Sequence, residues 1–235
     1  MAGLSARFFD AGYDKPKYML PGHGQPLFDH AVRSFQEYFS TLPFVFIVRD
    51  IHNTPSFVRK QCAHLAIKNY SVVVLQEETR GQAETVFLGL KDANESEPLT
   101  VFNIDTFRPG FVLPDASHHS DGYLEVFKGE GQNWSYAKPA SASSDRVIET
   151  AEKNPISDLC STGLYHFSEV KSFKMAYEFE QQKPLAELKN KELYIAPLYN
   201  HLIQLGQDIR YHLIARDEVI FCGVPKEYED FLKSA

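Results

Sequence analysis

Phe44-Val45-Phe46-Ile47-Val48 and Ser71-Val72-Val73-Val74-Leu75, with Thr54-Pro55 opening the stretch between them, decide the fold class. Each run is short and apolar throughout, the pattern of a strand buried on both faces. The stretch between starts as helices start, with Thr54 capping and Pro55 at the first helical position, and predicts a helix to about Lys68. Upstream, residues 26–42 place Leu27, His30, Ala31, Phe35, Tyr38 and Phe39 near one helical face. Downstream, residues 81–93 predict a helix with Ala83, Val86, Phe87 and Leu90 inward, and residues 99–104 a third apolar strand that ends at Asp105. Strand alternating with helix implies an α/β fold, Rossmann-like, with a mostly parallel sheet and helices on both faces. Ligands of such sheets bind at the carboxyl ends of the strands.

The second half changes character. Residues 123–127, 134–137, 146–150 and 163–167 are short apolar segments between Gly, Ser, Asp and Asn, and predict strands of a mixed or antiparallel extension. Residues 169–182 and 193–204 read as helices, and 209–214 and 219–221 as strands. Pro225 opens a last helix with Tyr228, Phe231 and Leu232 inward. No linker, repeat or low-complexity tract divides the chain, so one domain over residues 1–235 is expected.

Composition narrows the partners. The chain carries 24 Lys and Arg against 31 Asp and Glu, a net charge of −7. A protein that neutralises nucleic-acid phosphates needs a basic surface, so DNA and RNA are excluded as main partners. A local basic pocket for a small phosphorylated ligand is compatible with the balance. Cys62, Cys160 and Cys222 lie far apart, without zinc spacing and odd in number, which fits reduced thiols in a cytoplasm. No apolar run nears the roughly 20 residues of a membrane span, and no secretion signal opens the chain. The sequence leaves homo-oligomerisation open.

Several residues carry chemistry. Gly3, Ser5 and Ala6 are small residues before Arg7, and Lys15 and Lys17 flank Pro16. Small residues let backbone amides approach a phosphate, and Arg and Lys bind its oxygens. Asp105 stands where a parallel strand should end, and a carboxylate there can hold Mg²⁺ with substrate phosphates completing the octahedron. The plain alternative is a turn residue ahead of Pro109-Gly110. Glu152-Lys153, after the segment 146–150, can bind a hydroxyl and a phosphate or form a surface ion pair. Gln76, after the second apolar run, can read a base edge or be solvated. His23, His118 and His119 have no partner at ligand spacing and receive no role. Walker, HExxH and Gly-x-Ser-x-Gly motifs are absent, and so is the Gly-x-Gly-x-x-Gly of a nicotinamide dehydrogenase.

Taken in order, these pieces resemble the sugar-phosphate nucleotidyltransferases. Ala2-Gly3-Leu4-Ser5-Ala6-Arg7 resembles the family's A-G-x-G-x-R loop, and Pro16-Lys17 its P-K. Gly24-Gln25-Pro26-Leu27 is similar to the turn into its first helix, and Gln76 with Gly81-Gln82-Ala83-Glu84-Thr85 to its base-reading segment. Phe102-Asn103-Ile104-Asp105 resembles the strand that ends in the metal aspartate. Glu152-Lys153-Asn154 is similar to E-K-P, and Ser161-Thr162-Gly163-Leu164-Tyr165-His166-Phe167 to S-x-G-[IL]-Y-x-F. The match spans nearly the whole chain and points to the glucose-1-phosphate thymidylyltransferase-like, surface-polysaccharide type.

The resemblance implies a reaction between a nucleoside triphosphate and a sugar 1-phosphate or other small phosphorylated acceptor. The acceptor phosphate attacks the α-phosphorus and pyrophosphate leaves. By resemblance Arg7 and Lys17 are catalytic, and Ala2, Gly3, Ser5, Gln76 and Gly81 bind the nucleotide. Asp105 holds Mg²⁺, and Glu152, Lys153 and Gly163 bind the acceptor. Residues 1–115 would be the nucleotide half and 116–235 the acceptor half.

Two departures stand out. Ser5 replaces the loop's second glycine. Many members carry a second metal aspartate two residues before a G-T-P turn; here the turn is Gly223-Val224-Pro225 and the position is Phe221, which leaves Asp217 or Glu218 as a substitute, or a single metal ligand as sufficient. Loss of that carboxylate sets up the alternative, a catalytically silent nucleotide-binding protein of the same fold. A phosphate loop at the chain's start also lacks the strand that should precede it, so a natural start upstream of Met1, with an apolar strand of about five residues, is expected.

Overall fold

The computed structural model describes residues 1–3, 5–184, 186–188 and 192–234. In chain order the elements begin α1 (Ala6–Asp10), β1 (Pro21–Gly22), β2 (Gln25–Pro26), α2 (Leu27–Arg33), β3 (Phe44–Arg49), α3 (Thr54–His64), β4 (Tyr70–Leu75), α4 (Gln82–Gly89) and β5 (Leu99–Val101). They continue with β6 (Thr106–Phe107), α5 (Ala116–His119), β7 (Gly122–Lys128), β8 (Ser135–Pro139), β9 (Val147–Glu152) and β10 (Leu159–Phe167). The last are α6 (Val170–Glu180), α7 (Leu198–Gln204), β11 (Ile209–Ile214), β12 (Ile220–Phe221) and α8 (Pro225–Lys233). They form two compact units. One holds Met1–Glu78, Asn103–Val112 and Asp217–Ala235; the other holds Thr79–Phe102 and Leu113–Arg216.

In the first unit, β3 and β4 pair in parallel from Phe44↔Tyr70 to Arg49↔Leu75, with α3 as the crossover. Phe46 and Val48 join Phe28, Val32, Val58, Cys62 and Leu65 in one core. Val45 is 43% exposed, so β3 is not buried on both faces as its apolar run predicted. Thr54 is the first residue of α3 rather than its cap; its hydroxyl donates to the Ile51 carbonyl at 2.6 Å, and the helix stops at His64. The amino group of Met1 donates to the Ile47 carbonyl at 2.9 Å.

A second cluster gathers Phe8, Leu20, Leu27, Phe107, Cys222, Tyr228 and Phe231. The helix α8 starts at Pro225 as predicted, and Tyr228 and Phe231 face inward, but Leu232 is 42% exposed. His23 is structural: its Nε2 donates to the Phe231 carbonyl at 2.8 Å.

The second unit is built on a mixed six-stranded sheet, in the order β11-β7-β10-β8-β9 with β5 against β10. Only β11 and β7 run parallel there. The predicted third parallel strand is therefore a shorter antiparallel one. It ends at Val101 and pairs Tyr165↔Val101 to Phe167↔Leu99. An apolar run specifies burial, not its partner, and here the partner lies far along the chain. The whole is a mixed α/β fold rather than a mostly parallel sheet. Residues 193–197 are not helical, contrary to the sequence pattern. Leu193 instead donates its N–H to the Arg80 carbonyl (2.7 Å) and accepts from the Ala83 N–H (2.9 Å).

The cysteines are free and buried. No helix among the described residues is long and apolar enough to cross a membrane.

Candidate active site

The residues singled out from sequence fall into a group in each unit. In the first, Ser5 takes a left-handed backbone (φ 53°, ψ 30°), the conformation a glycine suits best. Its Oγ accepts from the Lys17 N–H at 3.3 Å, and its carbonyl from the Phe8 N–H at 2.9 Å, which starts α1. Ala2 is buried, Gly3 is exposed with open space where a Cβ would stand, and Arg7 is exposed on α1. Pro16 precedes a tight turn over Lys17–Met19. That turn sends the Lys17 Nζ to 2.5 Å from Asp105 Oδ2, with the two side chains 23% and 21% exposed. Burial alone would raise the Asp105 carboxyl, but the Lys17 ammonium outweighs it and holds the group below its usual value. Asp105 is thus an ionised carboxylate, placed just before β6, with its carbonyl accepting from Cys222 at 2.7 Å. Gln76 follows β4 and is exposed.

Sequence reasoning missed Glu227. Its Oε2 accepts from the N–H groups of Gly223 (2.8 Å) and Val224 (3.2 Å), tying down the start of α8. A Cβ at Gly223 would lie 3.1 Å from Asp105 Oδ2 and 3.5 Å from Glu227 Oε2, so Gly223 separates two carboxylates. The spacing of Glu227 behind Gly223-Val224-Pro225 is an N-terminal capping signal, which could have found it. Glu218 instead faces Arg108, 3.9 Å from its Nη1, and Phe221 pairs with Thr106 on β12. Among the described residues no three His, Cys, Asp or Glu are placed to hold a metal. A hard cation that keeps waters and takes one or two carboxylates plus substrate phosphates fits this donor set better than one needing an all-protein cage.

In the second unit, Gly81 precedes α4 with φ +139°. A Cβ there would lie 2.5 Å from the Leu193 carbonyl oxygen, so only glycine allows the backbones to meet. Gly163, at φ +90°, occupies the register shift of β10 against β7. Glu152 does not follow its strand but ends it, opposite Ser135. Ser135 Oγ donates to Glu152 Oε2, and Tyr165 OH donates to Ser135 Oγ at 3.2 Å. Burial raises the Glu152 carboxyl, against the opposing pull of Ser135 and Lys153. Burial also pushes the Tyr165 phenol up to about 12. Lys153 Nζ lies 3.7 Å from Glu152 Oε1 and donates to Tyr194 OH at 2.6 Å. Ser135 and Tyr194 carried no sequence signal; neither sits in a recognisable motif.

No family model and no curated protein matches the chain. Among solved structures, a nucleoside-diphosphate-sugar pyrophosphorylase from Vibrio cholerae is 60% identical, with 99% of this chain and 98% of that chain covered and a TM-score of 0.96. A UDP-glucose pyrophosphorylase complexed with UDP-glucose is 15% identical, with 99% and 95% covered and a TM-score of 0.75. An inositol-1-phosphate CTP transferase from T. maritima is 14% identical, with 100% and 94% covered and a TM-score of 0.73. The last two share the fold.

Proposed function

The chain belongs to the sugar-phosphate nucleotidyltransferase family, and from that premise we propose that it joins a nucleoside triphosphate to a sugar 1-phosphate and releases pyrophosphate. It is an enzyme of the nucleotide-sugar pyrophosphorylase type. The observation that carries the reading is the Lys17–Asp105 ion pair: two residues 88 positions apart in sequence, both marked by motif, meet at 2.5 Å.

Nucleotidyl transfer requires little covalent work from a protein beyond orienting two polyanions and stabilising charge on the transferring group. Arg7 binds the triphosphate. Lys17 binds the α-phosphate and the oncoming acceptor phosphate, and the Ser5 hydroxyl fixes the Lys17 backbone for that task. An acceptor oxygen forms the new bond to the α-phosphorus as the bond to pyrophosphate breaks. Ala2 and Gly3 offer close backbone approach to the phosphates, and Gln76 and the Gly81 amide read the base. Lys153 binds the acceptor phosphate and Glu152 an acceptor hydroxyl, with Gly163 lining that site. Asp105 would hold Mg²⁺, with Glu227 the nearby carboxylate in place of the aspartate lost at Phe221. When bound there, the ion would supply charge neutralisation for the leaving phosphates. The enzyme would act in the cytoplasm, and its product would feed the synthesis of surface polysaccharide.

Phe221 favours a second reading, a catalytically silent nucleotide-binding protein; the ionised Asp105 and its partner Lys17 oppose it. Pyrophosphate release across a panel of nucleoside triphosphates and sugar 1-phosphates decides between them. Release with one pair supports transfer, and none with any pair supports the silent protein.

A further inference from the structure

We propose that Tyr194 is a positioning residue, which holds the Lys153 ammonium where the acceptor's phosphate meets it; the inference rests on the acceptor role given to Lys153 above. A lysine at a surface ordinarily keeps its ammonium in water, and fixing its four-carbon stem costs rotamer entropy. Lys153 is fixed all the same. Its backbone has φ +52°, rare for a residue with a side chain, and its N–H donates to the Trp134 carbonyl at 2.9 Å. Its ammonium donates to Tyr194 OH at 2.6 Å, 4.5 Å from the ring centroid, and faces Glu152 Oε1 at 3.7 Å.

An ammonium is donor only, so the phenol oxygen accepts and no proton leaves Lys153. Two oxygens then lie close to the ammonium, while the side chain stays 24% exposed and reachable by a ligand. Tyr194 is itself held by its neighbour, since Leu193 is clamped by backbone hydrogen bonds to Arg80 and Ala83 on either side of Gly81. A cation held this way gains affinity for a phosphate by losing less freedom on binding.

The test is steady-state kinetics with the sugar 1-phosphate and the triphosphate of the panel that give the fastest release, on the wild type, Tyr194→Phe, Lys153→Met and the double variant. Tyr194→Phe should raise the acceptor KM about tenfold, the loss of one charge-assisted hydrogen bond, with the triphosphate KM and the melting temperature unchanged. Lys153→Met should raise the acceptor KM further. Adding Tyr194→Phe to Lys153→Met should change nothing more, because Tyr194 acts through Lys153. If Lys153→Met raises the acceptor KM and Tyr194→Phe does not, or if the two effects add, Tyr194 does not position Lys153. If Lys153→Met leaves the acceptor KM alone, or the wild type turns over no sugar 1-phosphate of the panel, the acceptor reading itself fails and the proposal falls with it.

Discussion

Lys17→Met removes one ammonium while keeping most of the stem, and its two consequences can be separated. The first is kinetic. Loss of a contact made to the transferring phosphate costs about 10²–10³-fold in rate, roughly 2.7–4 kcal/mol. The second is structural. With side chains 23% and 21% exposed, the Lys17–Asp105 pair lies between surface pairs, worth about 0–1 kcal/mol, and buried pairs, whose breakage costs about 3–5. A loss of about 1–2 kcal/mol is expected, a fall of several degrees in melting temperature. The pH dependence carries a sign. In the wild type the Asp105 carboxyl is depressed below 3.8, so the pair's stability is present above that pH and lost as pH falls through the lower, folded value. Without Lys17, burial is opposed only by a backbone hydrogen bond and the Met1 amino group, so the carboxyl rises from its wild-type position and the variant loses less stability than the wild type as pH falls. Thermal melts from pH 3 to 8 and pyrophosphate release measure the two effects. Lys17→Met/Asp105→Asn should recover the melting temperature but not the rate. Wild-type turnover in Lys17→Met would refute the reasoning, and so would a double variant that regains both.

Three further outcomes are expected. Asp105→Asn should shift the magnesium titration of activity to higher concentration, because an amide is a poorer ligand than a carboxylate for a hard cation; an unchanged titration would make Asp105 a turn residue only. Gly81→Ala should lower stability by about 2–4 kcal/mol in urea unfolding, since its Cβ would stand 2.5 Å from the Leu193 oxygen at a φ of +139°; an unaltered midpoint contradicts the close approach. Burial depresses His166 from 6.5 to about 4, so across that range the unfolded chain binds a proton the native one excludes. Stability should therefore rise with pH from about 4 to 6.5, by about 3 kcal/mol at 1.36 kcal/mol per pH unit, and His166→Gln should flatten the slope. An equally steep slope in the variant would place the effect elsewhere.

Much of the fold is legible locally. The two apolar runs and the Thr54-Pro55 start yield the β3–α3–β4 crossover, and Pro225 yields α8, because an apolar run and a proline in a first helical turn are written within a few residues, although Asn53 rather than Thr54 is the cap. The direction of β5 is not, since its apolar run pairs with a strand whose register positions lie 64 or more residues away. The helix expected over residues 193–204 starts only at Leu198, because Leu193 spends its backbone groups on the Gly81 turn, a contact no local pattern encodes. At the site, motif order marked Lys17, Asp105, Glu152 and Lys153, and the structure joins them as two pairs. Ser135 and Tyr194 carry no mark, because each acts through a neighbour brought close only by the fold, whereas Glu227 bonds the start of its own helix and its capping spacing is a local signal.

The most direct test of nucleotidyl transfer to a sugar 1-phosphate is the ³¹P spectrum of a completed reaction, run with magnesium for each pair of nucleoside triphosphate and sugar 1-phosphate. For one pair the sugar 1-phosphate resonance should be lost, and a new pair of coupled diphosphate resonances and an equal amount of pyrophosphate should appear. Spectra that stay unchanged with every pair, or that show only inorganic phosphate released from the nucleotide, would contradict nucleotidyl transfer.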